Sequence, residues 1–217
     1  MLYQNSDAKS IIEITINSQV RSSSHKFRYL TTVFPVVRES AVRDYGDLKA
    51  RLRVLPDWPK KGINFIDITT ALLDSKSFRT AIDALVEHYE KSQVDLVVGI
   101  EARGFIIGAP VAYNLNAGFV PARKSGKLPA EKVAMEYTLE YNTALLEMHR
   151  GSILPGQRVV IIDDLLATGG TAVATAKLVE QMGGTVVGFG FLVELDFLNG
   201  RKKLEKYDVI SLVHYEN

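Results

Sequence analysis

The chain has 217 residues, 26 Lys and Arg against 25 Asp and Glu, no Cys, and 47% hydrophobic residues. A mean hydropathy of +0.04 and a formal charge of +1 describe an ordinary globular protein of about one domain, which excludes disorder throughout and any global attraction to nucleic acid or an acidic membrane. Without Cys there is no disulfide, thiolate metal site or Cys nucleophile, and the charges and amides spread through residues 1–20 argue against a signal peptide or spanning helix, so a cytosolic protein is expected.

Residues 1–45 contain no Gly, include the run Ser22 to Ser24 and carry a formal charge of +2, leaving −1 for the rest. Ile12, Ile14 and Ile16 alternate with polar residues as in a half-buried strand, but no chemical constellation accompanies them. This segment is read as an extension without catalytic role, and residues 46–217 as the functional domain. DLKARLRVL predicts a short helix ending at Pro56, and the Pro- and Gly-rich PDWPKKGINFIDIT leads into an extended run, with Trp58 as a packing anchor. Ser75 is placed to cap a helix in which Phe78, Ile82, Leu85, Val86 and Tyr89 recur at helical spacing as core residues.

VDLVVGI, residues 94–100, is continuously apolar and predicts a strand buried on both faces. It breaks at EARG, after which GFIIGAPVAYNL reads as a helix and GFVPARK as a strand. The alternating KVAMEYTLEYNTALLEMHR predicts two antiparallel strands standing outside the core. Then come VVII at 159–162, a helix from Thr171 to Met182, TVVGFGFLVEL and YDVISLVHY. Strands alternating with helices predict an α/β domain with a mainly parallel sheet of about five strands.

The most informative segment is VVIIDDLLATGGTAVATAKLVEQM. A buried strand runs into Asp163 and Asp164, and a short loop of Thr168, Gly169, Gly170 and Thr171 opens directly into a helix. In open parallel sheets ligands bind beyond the carboxyl ends of strands. The glycines let backbone N–H groups approach an anion, the threonines add hydroxyl donors, and the helix N-terminus adds partial positive charge. The loop has no Lys and its spacing is not GxGxxG, so it is neither a Walker A loop nor a dinucleotide fingerprint. Carboxylates beside a phosphate cradle suit a ligand with vicinal hydroxyls next to its phosphate, with Mg²⁺ tempering the repulsion; a ribose 5-phosphate satisfies both halves.

VVIIDDLLATGGT resembles the phosphoribosyl-pyrophosphate (PRPP) motif of the type I phosphoribosyltransferases. Together with LPDWPKKGINFIDIT, GIEARGF, RKSGKLP, LEY and LVEL, in that order, it resembles the adenine phosphoribosyltransferase family from about residue 45 to the C-terminus. The resemblance implies the type I fold, with a small hood around Trp58 and a mobile antiparallel loop, and the reaction of adenine with PRPP to give AMP and pyrophosphate in cytosolic purine salvage. Ala167, Thr168, Gly169, Gly170 and Thr171 would hold the 5-phosphate, and Asp163 and Asp164 the ribose hydroxyls. Glu101, Ala102 and Arg103 would form the pyrophosphate loop, with a non-proline cis peptide near Glu101 and Ala102. Arg123, Lys124 and Lys127 match the pyrophosphate-facing basic cluster.

Glu140 and Tyr141 match the mobile catalytic loop, Glu140 for proton transfer at the purine and Tyr141 to shape the closed site. Glu136 and Glu147 lie on the same excursion. Ile63, Asn64 and Phe65 would bind adenine, Phe65 by stacking; Ile66 stands where the family often has a basic residue. Mg²⁺ would arrive on PRPP without direct protein ligands, and a homodimer is implied. Glu194 matches the closing strand without an assigned chemistry. Two rivals stand beside this reading: a phosphoribosyltransferase for another base, and a PRPP- or nucleotide-sensing regulator without turnover. His25, His88, His149 and His214 show no paired ligand spacing, so no histidine metal site is expected.

Overall fold

The computed structural model describes residues 45–138 and 143–216. Glu140, Tyr141 and the Ile12–Ile16 alternation lie outside the described residues. A seven-stranded sheet runs in the spatial order β5, β6, β4, β3, β7, β8, β9, where β3 is Leu96–Ile100, β4 Gly118–Lys124, β5 Lys132–Thr138, β6 Thr143–His149, β7 Arg158–Leu166, β8 Thr185–Leu195 and β9 Asp208–Tyr215. The five strands from β4 to β9 in that order, β4, β3, β7, β8 and β9, pair in parallel. That matches the expected number. The two antiparallel strands, β5 and β6, join the edge of this sheet through Arg123 opposite Glu147 and Lys124 opposite Leu146.

The sheet separates two apolar layers. Val97, Val160, Ile162, Leu192 and Val213 face helices α1 (Gly46–Arg51), α2 (Thr69–Leu73), α3 (Ser75–Tyr89) and α4 (Arg103–Asn114). Val98, Val159, Ile161, Phe189 and Phe191 face α5, Gly170–Gln181. Adjacent residues of β7 thus enter opposite layers, as the period of two requires, and the continuous apolar run of the central strands follows from burial on both sides. On α3, Ile82, Leu85 and Tyr89 are buried, with Phe78 and Val86 packed at the margin.

Three expectations are corrected. The antiparallel excursion does not stand outside the core: Tyr137, Leu146 and Met148 are buried, because alternation along β5 and β6 turns one face toward the layer that holds α5. The first helix stops at Arg51 instead of running to Pro56, and Arg53–Leu55 forms β1, antiparallel to β2 at Phe65–Asp67. Asp74, not Ser75, caps α3, its carboxylate accepting from the Ser77 N–H at 2.9 Å and the Ser77 hydroxyl at 2.6 Å.

The β1–β2 ribbon carries the hood, and a charge pair fastens it. Arg53 lies opposite Asp67 and binds its carboxylate, while the Thr69 hydroxyl and N–H donate to the other oxygen at 2.6 and 2.9 Å. The Thr69 hydroxyl, then Arg53 and the Thr69 N–H, hold the Asp67 carboxyl at about 2, down from 3.8. A carboxyl lowered in the folded state adds stability above its unfolded value and loses it as pH falls through the folded one. Asp67→Asn should therefore cost about 2 kcal/mol at pH 7. In urea titrations the deficit against wild type should shrink as pH falls from 3.8 toward about 2; a pH-independent deficit would remove the charge from the explanation.

Candidate active site

β3 is followed in space by β4 on one side and by β7 on the other, so the strand order reverses between β3 and β7. Loops leaving the carboxyl ends of these two strands diverge to opposite faces and open a crevice there. The two loops are Glu101 and Ala102, between β3 and α4, and Ala167–Gly169, between β7 and α5. The topology thus brings together two segments more than 60 residues apart, as the Arg103 to Asp164 ion pair records.

Close packing sets α4 against the strand ends. A Cβ on Gly104 would lie 2.8 Å from the Ile162 carbonyl and 3.0 Å from Asp163 Oδ1, and one on Gly99 would strike the Phe119 ring at 2.6 Å. Glycine at these positions lets the first turn of α4 sit on the end of β7. That places Arg103, the first residue of α4, beside Asp164. The Arg103 Nε donates to Asp164 Oδ2, and the guanidinium carbon stands 5.7 Å from the Phe65 ring centroid. Phe65, Arg103 and Asp164 therefore form a row from the hood to the strand end.

The two acids differ. Asp164 is buried and paired with Arg103, whereas Asp163 accepts the Asp164 N–H at 2.8 Å. Burial first, then the neighbouring Asp164 charge, push the Asp163 carboxyl well above its usual range. Beyond them Gly169 adopts φ +75° and opens α5, and having no side chain it leaves the first N–H groups of the helix free of a side-chain cap. Such groups form an anion site. Thr168, Gly170 and Thr171 are partly exposed around it.

On the other loop, the Glu101–Ala102 peptide is cis, as expected from the resemblance. The Glu101 N–H donates to the Ala122 carbonyl at 2.9 Å. Its carboxylate, 6% exposed, gathers the basic cluster: Arg123 Nε at 3.1 Å, the Lys124 N–H at 3.1 Å, and Lys127 Nζ. Burial would raise this carboxyl, but the hydrogen bonds from Lys127, Arg123 and Lys124 outweigh it and hold it below its ordinary value. Glu147 fixes the same turn from β6, accepting from the Ser125 hydroxyl at 2.6 Å, the Gly126 N–H at 3.0 Å and Lys132 at 3.0 Å. Its carboxylate is thereby engaged with the turn, while Glu136 is exposed.

In the hood, Ile63 and Asn64 are exposed and Phe65 is half-buried. The Ile63 N–H donates to the Lys60 carbonyl at 3.2 Å and its carbonyl accepts the Trp58 N–H at 3.0 Å. Trp58 is no buried anchor: it is 51% exposed and meets Phe65 edge-on at 4.5 Å between ring centroids. Ile66 is core, 4% exposed.

Sequence reasoning missed Gly200, which lies buried against the back of the Ala167–Gly169 loop. The available signal was the Asn-Gly pair after β8, since Asn199 takes φ +53°. His214, given no metal role by spacing, comes with Glu194 and Asp196 into a group whose ligand atoms lie within 4.8 Å. Arg201, however, takes both oxygens of Glu194 at 3.0 and 3.1 Å, so this set does not fit Mg²⁺.

Asp163 carries a testable cost. A carboxyl raised in the folded state loses stability as pH climbs from the unfolded value through the folded one. Asp163→Asn keeps an acceptor for the Asp164 N–H but removes the like charge. Without ligand it should melt measurably above wild type at pH 8. The gain should vanish near pH 4 in calorimetry, and a variant that melts lower at pH 8 would contradict the assigned repulsion.

Residues 69–215 match the phosphoribosyl transferase domain family. Among curated relatives, the adenine phosphoribosyltransferase of Alkaliphilus metalliredigens is 57% identical over 169 residues, covering 78% of this chain and 99% of the relative. That of Acidobacterium capsulatum is 58% identical over 168 residues, covering 77% and 93%. The solved structure of the Thermoanaerobacter pseudethanolicus enzyme aligns with a TM-score of 0.76 at 56% identity, over 78% of this chain and 98% of that one. The Saccharomyces cerevisiae adenine phosphoribosyltransferase, complexed with an imino-altritol bisphosphate and adenine, aligns at 0.73 with 40% identity, over 76% and 96%. With two curated relatives at 57% and 58% identity, each covered over more than nine-tenths of its length, the chain belongs to the adenine phosphoribosyltransferases.

Proposed function

We propose that this chain transfers the phosphoribosyl group of PRPP to adenine, forming AMP and releasing pyrophosphate, with Mg²⁺ carried on PRPP. The observation that carries this reading is the meeting, at one switch point, of an uncapped glycine loop, two carboxylates and a basic turn, with an aromatic ring alongside. Residues 46–217 hold all the chemistry in this reading, and residues 1–45 none. The homodimer and the cytosolic setting follow from the family resemblance.

The 5-phosphate sits on the N–H groups of Ala167, Thr168, Gly169, Gly170 and Thr171, and the ribose hydroxyls donate to Asp163 and Asp164. Ligand hydroxyls taking over Asp164 free Arg103 for the pyrophosphate, where Arg123 and Lys127 join it after leaving Glu101, with Lys124 beside them. Adenine stacks on Phe65, with its edge read by the Asn64 backbone or the second lone pair of the Ile63 carbonyl, since the Ile63 N–H is used within the loop. A bond forms between adenine N9 and C1 as the bond from C1 to the pyrophosphate oxygen breaks, and the N9 proton is lost. Glu140 accepts that proton, and Tyr141 shapes the closed site. Closure of their loop excludes water from the oxocarbenium-like carbon.

The deciding assay is pyrophosphate release by the full chain with PRPP and Mg²⁺, offering adenine, hypoxanthine, guanine, xanthine and orotate in parallel. Turnover is expected with adenine alone; turnover with another base would reassign the substrate, and PRPP binding without turnover would leave a sensor. Asp164→Asn should raise KM for PRPP about tenfold or more, as loss of a charged hydrogen bond implies. Glu140→Gln should lower kcat with little change in PRPP binding, and a variant of full turnover would remove Glu140 from the mechanism.

A further inference from the structure

The loop that precedes α5 does not hold its shape alone. Behind it runs the short 3₁₀ segment Gly200–Leu204, and the two backbones touch. A Cβ on Gly200 would stand 2.1 Å from the Ala167 carbonyl and 3.0 Å from the Gly169 nitrogen. A Cβ on Gly169 would stand 2.7 Å from the Gly200 carbonyl. Each of these glycines is required by the other. The Gly200 backbone is the floor on which the Ala167–Gly169 turn rests.

What holds that floor in place is the residue after it. Arg201 Nε donates to both oxygens of Glu194, at 3.0 and 3.1 Å, and its Nη2 reaches Glu194 Oε2 at 2.5 Å. Nη1 donates to the Val209 carbonyl at 2.9 Å and Nη2 to the Ser211 hydroxyl at 3.2 Å. Glu194 is 4% exposed at its side chain and stands in register with Leu166, the residue immediately before the loop. One guanidinium therefore ties the floor to β8 and β9 at the level where β7 gives way to the loop. Leu204, fully buried, anchors the far end of the segment. The neighbouring His214 and Asp196 pair with each other at 2.9 Å at the outer margin of the same cluster.

We propose that Glu194, Arg201 and Ser211 are positioning residues for the phosphate loop, clamping Gly200 beneath Ala167–Gly169 so that the loop N–H groups converge on the 5-phosphate of PRPP and AMP. This rests on the functional reading above. The Arg201 guanidinium is engaged with Glu194, the Val209 carbonyl and Ser211, so in this proposal its effect passes through the loop and falls on ligands that carry the phosphate.

The test uses the full chain, with steady-state kinetics and calorimetric binding of AMP, ribose 5-phosphate and adenine. Arg201→Lys keeps the charge but cannot reproduce the two-oxygen contact and the reach to β9. It should weaken AMP and ribose 5-phosphate and raise KM for PRPP about tenfold, leaving KM for adenine and kcat within about twofold. A role in folding alone would lower the active fraction and hence apparent kcat at unchanged KM. Unchanged AMP affinity in folded Arg201→Lys, or adenine KM rising in step with PRPP KM, would overturn the proposal.

Should Arg201→Lys not fold, Ser211→Ala removes only the 3.2 Å bond and Gly200→Ala acts on the floor directly. Ser211→Ala should weaken AMP about two- to threefold and Gly200→Ala more strongly, again sparing adenine. Unchanged AMP affinity in both would equally overturn the clamp. A wild-type chain that binds neither AMP nor ribose 5-phosphate overturns the functional reading itself, a result distinct from any pattern among the variants.

Discussion

Two adjacent carboxylates at the end of a buried strand are the constraint around which the rest is arranged. β7 is apolar from Val159 to Ile162 and then carries Asp163, partly buried, and Asp164, buried, side by side near its carboxyl end. Asp164 is compensated by Arg103, which requires α4 to begin at that point, which in turn requires glycine at 99 and 104 to let the helix settle on the strands. Among the described residues Asp163 forms no ion pair, and burial and the neighbouring Asp164 charge push it toward its neutral form. The arrangement sacrifices stability to keep acceptors ready at the mouth of the crevice.

Compensation recurs across the site with acids and bases exchanged. The basic turn after β4 would be a concentrated positive charge if left alone, and Glu101 and Glu147 hold it from either side. Arg103 links Asp164 to the hood through its approach to Phe65. Charge neutralised within the protein keeps the side chains in defined positions.

The arrangement of strands was readable because its signal is strong: a central run such as VDLVVGI is apolar throughout only when both faces are covered, and glycine-rich breaks mark where strands yield to helices. The glycine loop before α5 is readable for a similar reason, since its residue types serve a local backbone purpose. What could not be read depends on distant partners. Nothing near Glu101 in the chain announces that Arg123 and Lys127 will rest on its carboxylate, and nothing near Gly169 shows that Gly200 will lie beneath it. The period-two pattern of β5 and β6 gave the hairpin but not its burial, because an alternating strand shows one apolar face without saying what will cover it. RVL was absorbed into a helix because its strand pairing depends on Asp67, fourteen residues from Arg53.

Under the proposed function, the carboxylate of Glu101 also bears on how the crevice would empty. Because it already occupies cations of the basic turn, a polyanion arriving there would exchange one set of oxygens for another and would not meet bare charge. The same exchange operates in reverse. As a diphosphate bound there loosened, Glu101 would be at hand to reclaim Lys127 and Arg123 one contact at a time. Departure can then proceed through a series of small substitutions in place of one simultaneous rupture. In that reading a tethered rival of this kind would limit how tightly the turn could retain its ligand, favouring repeated turnover over a long-lived product complex.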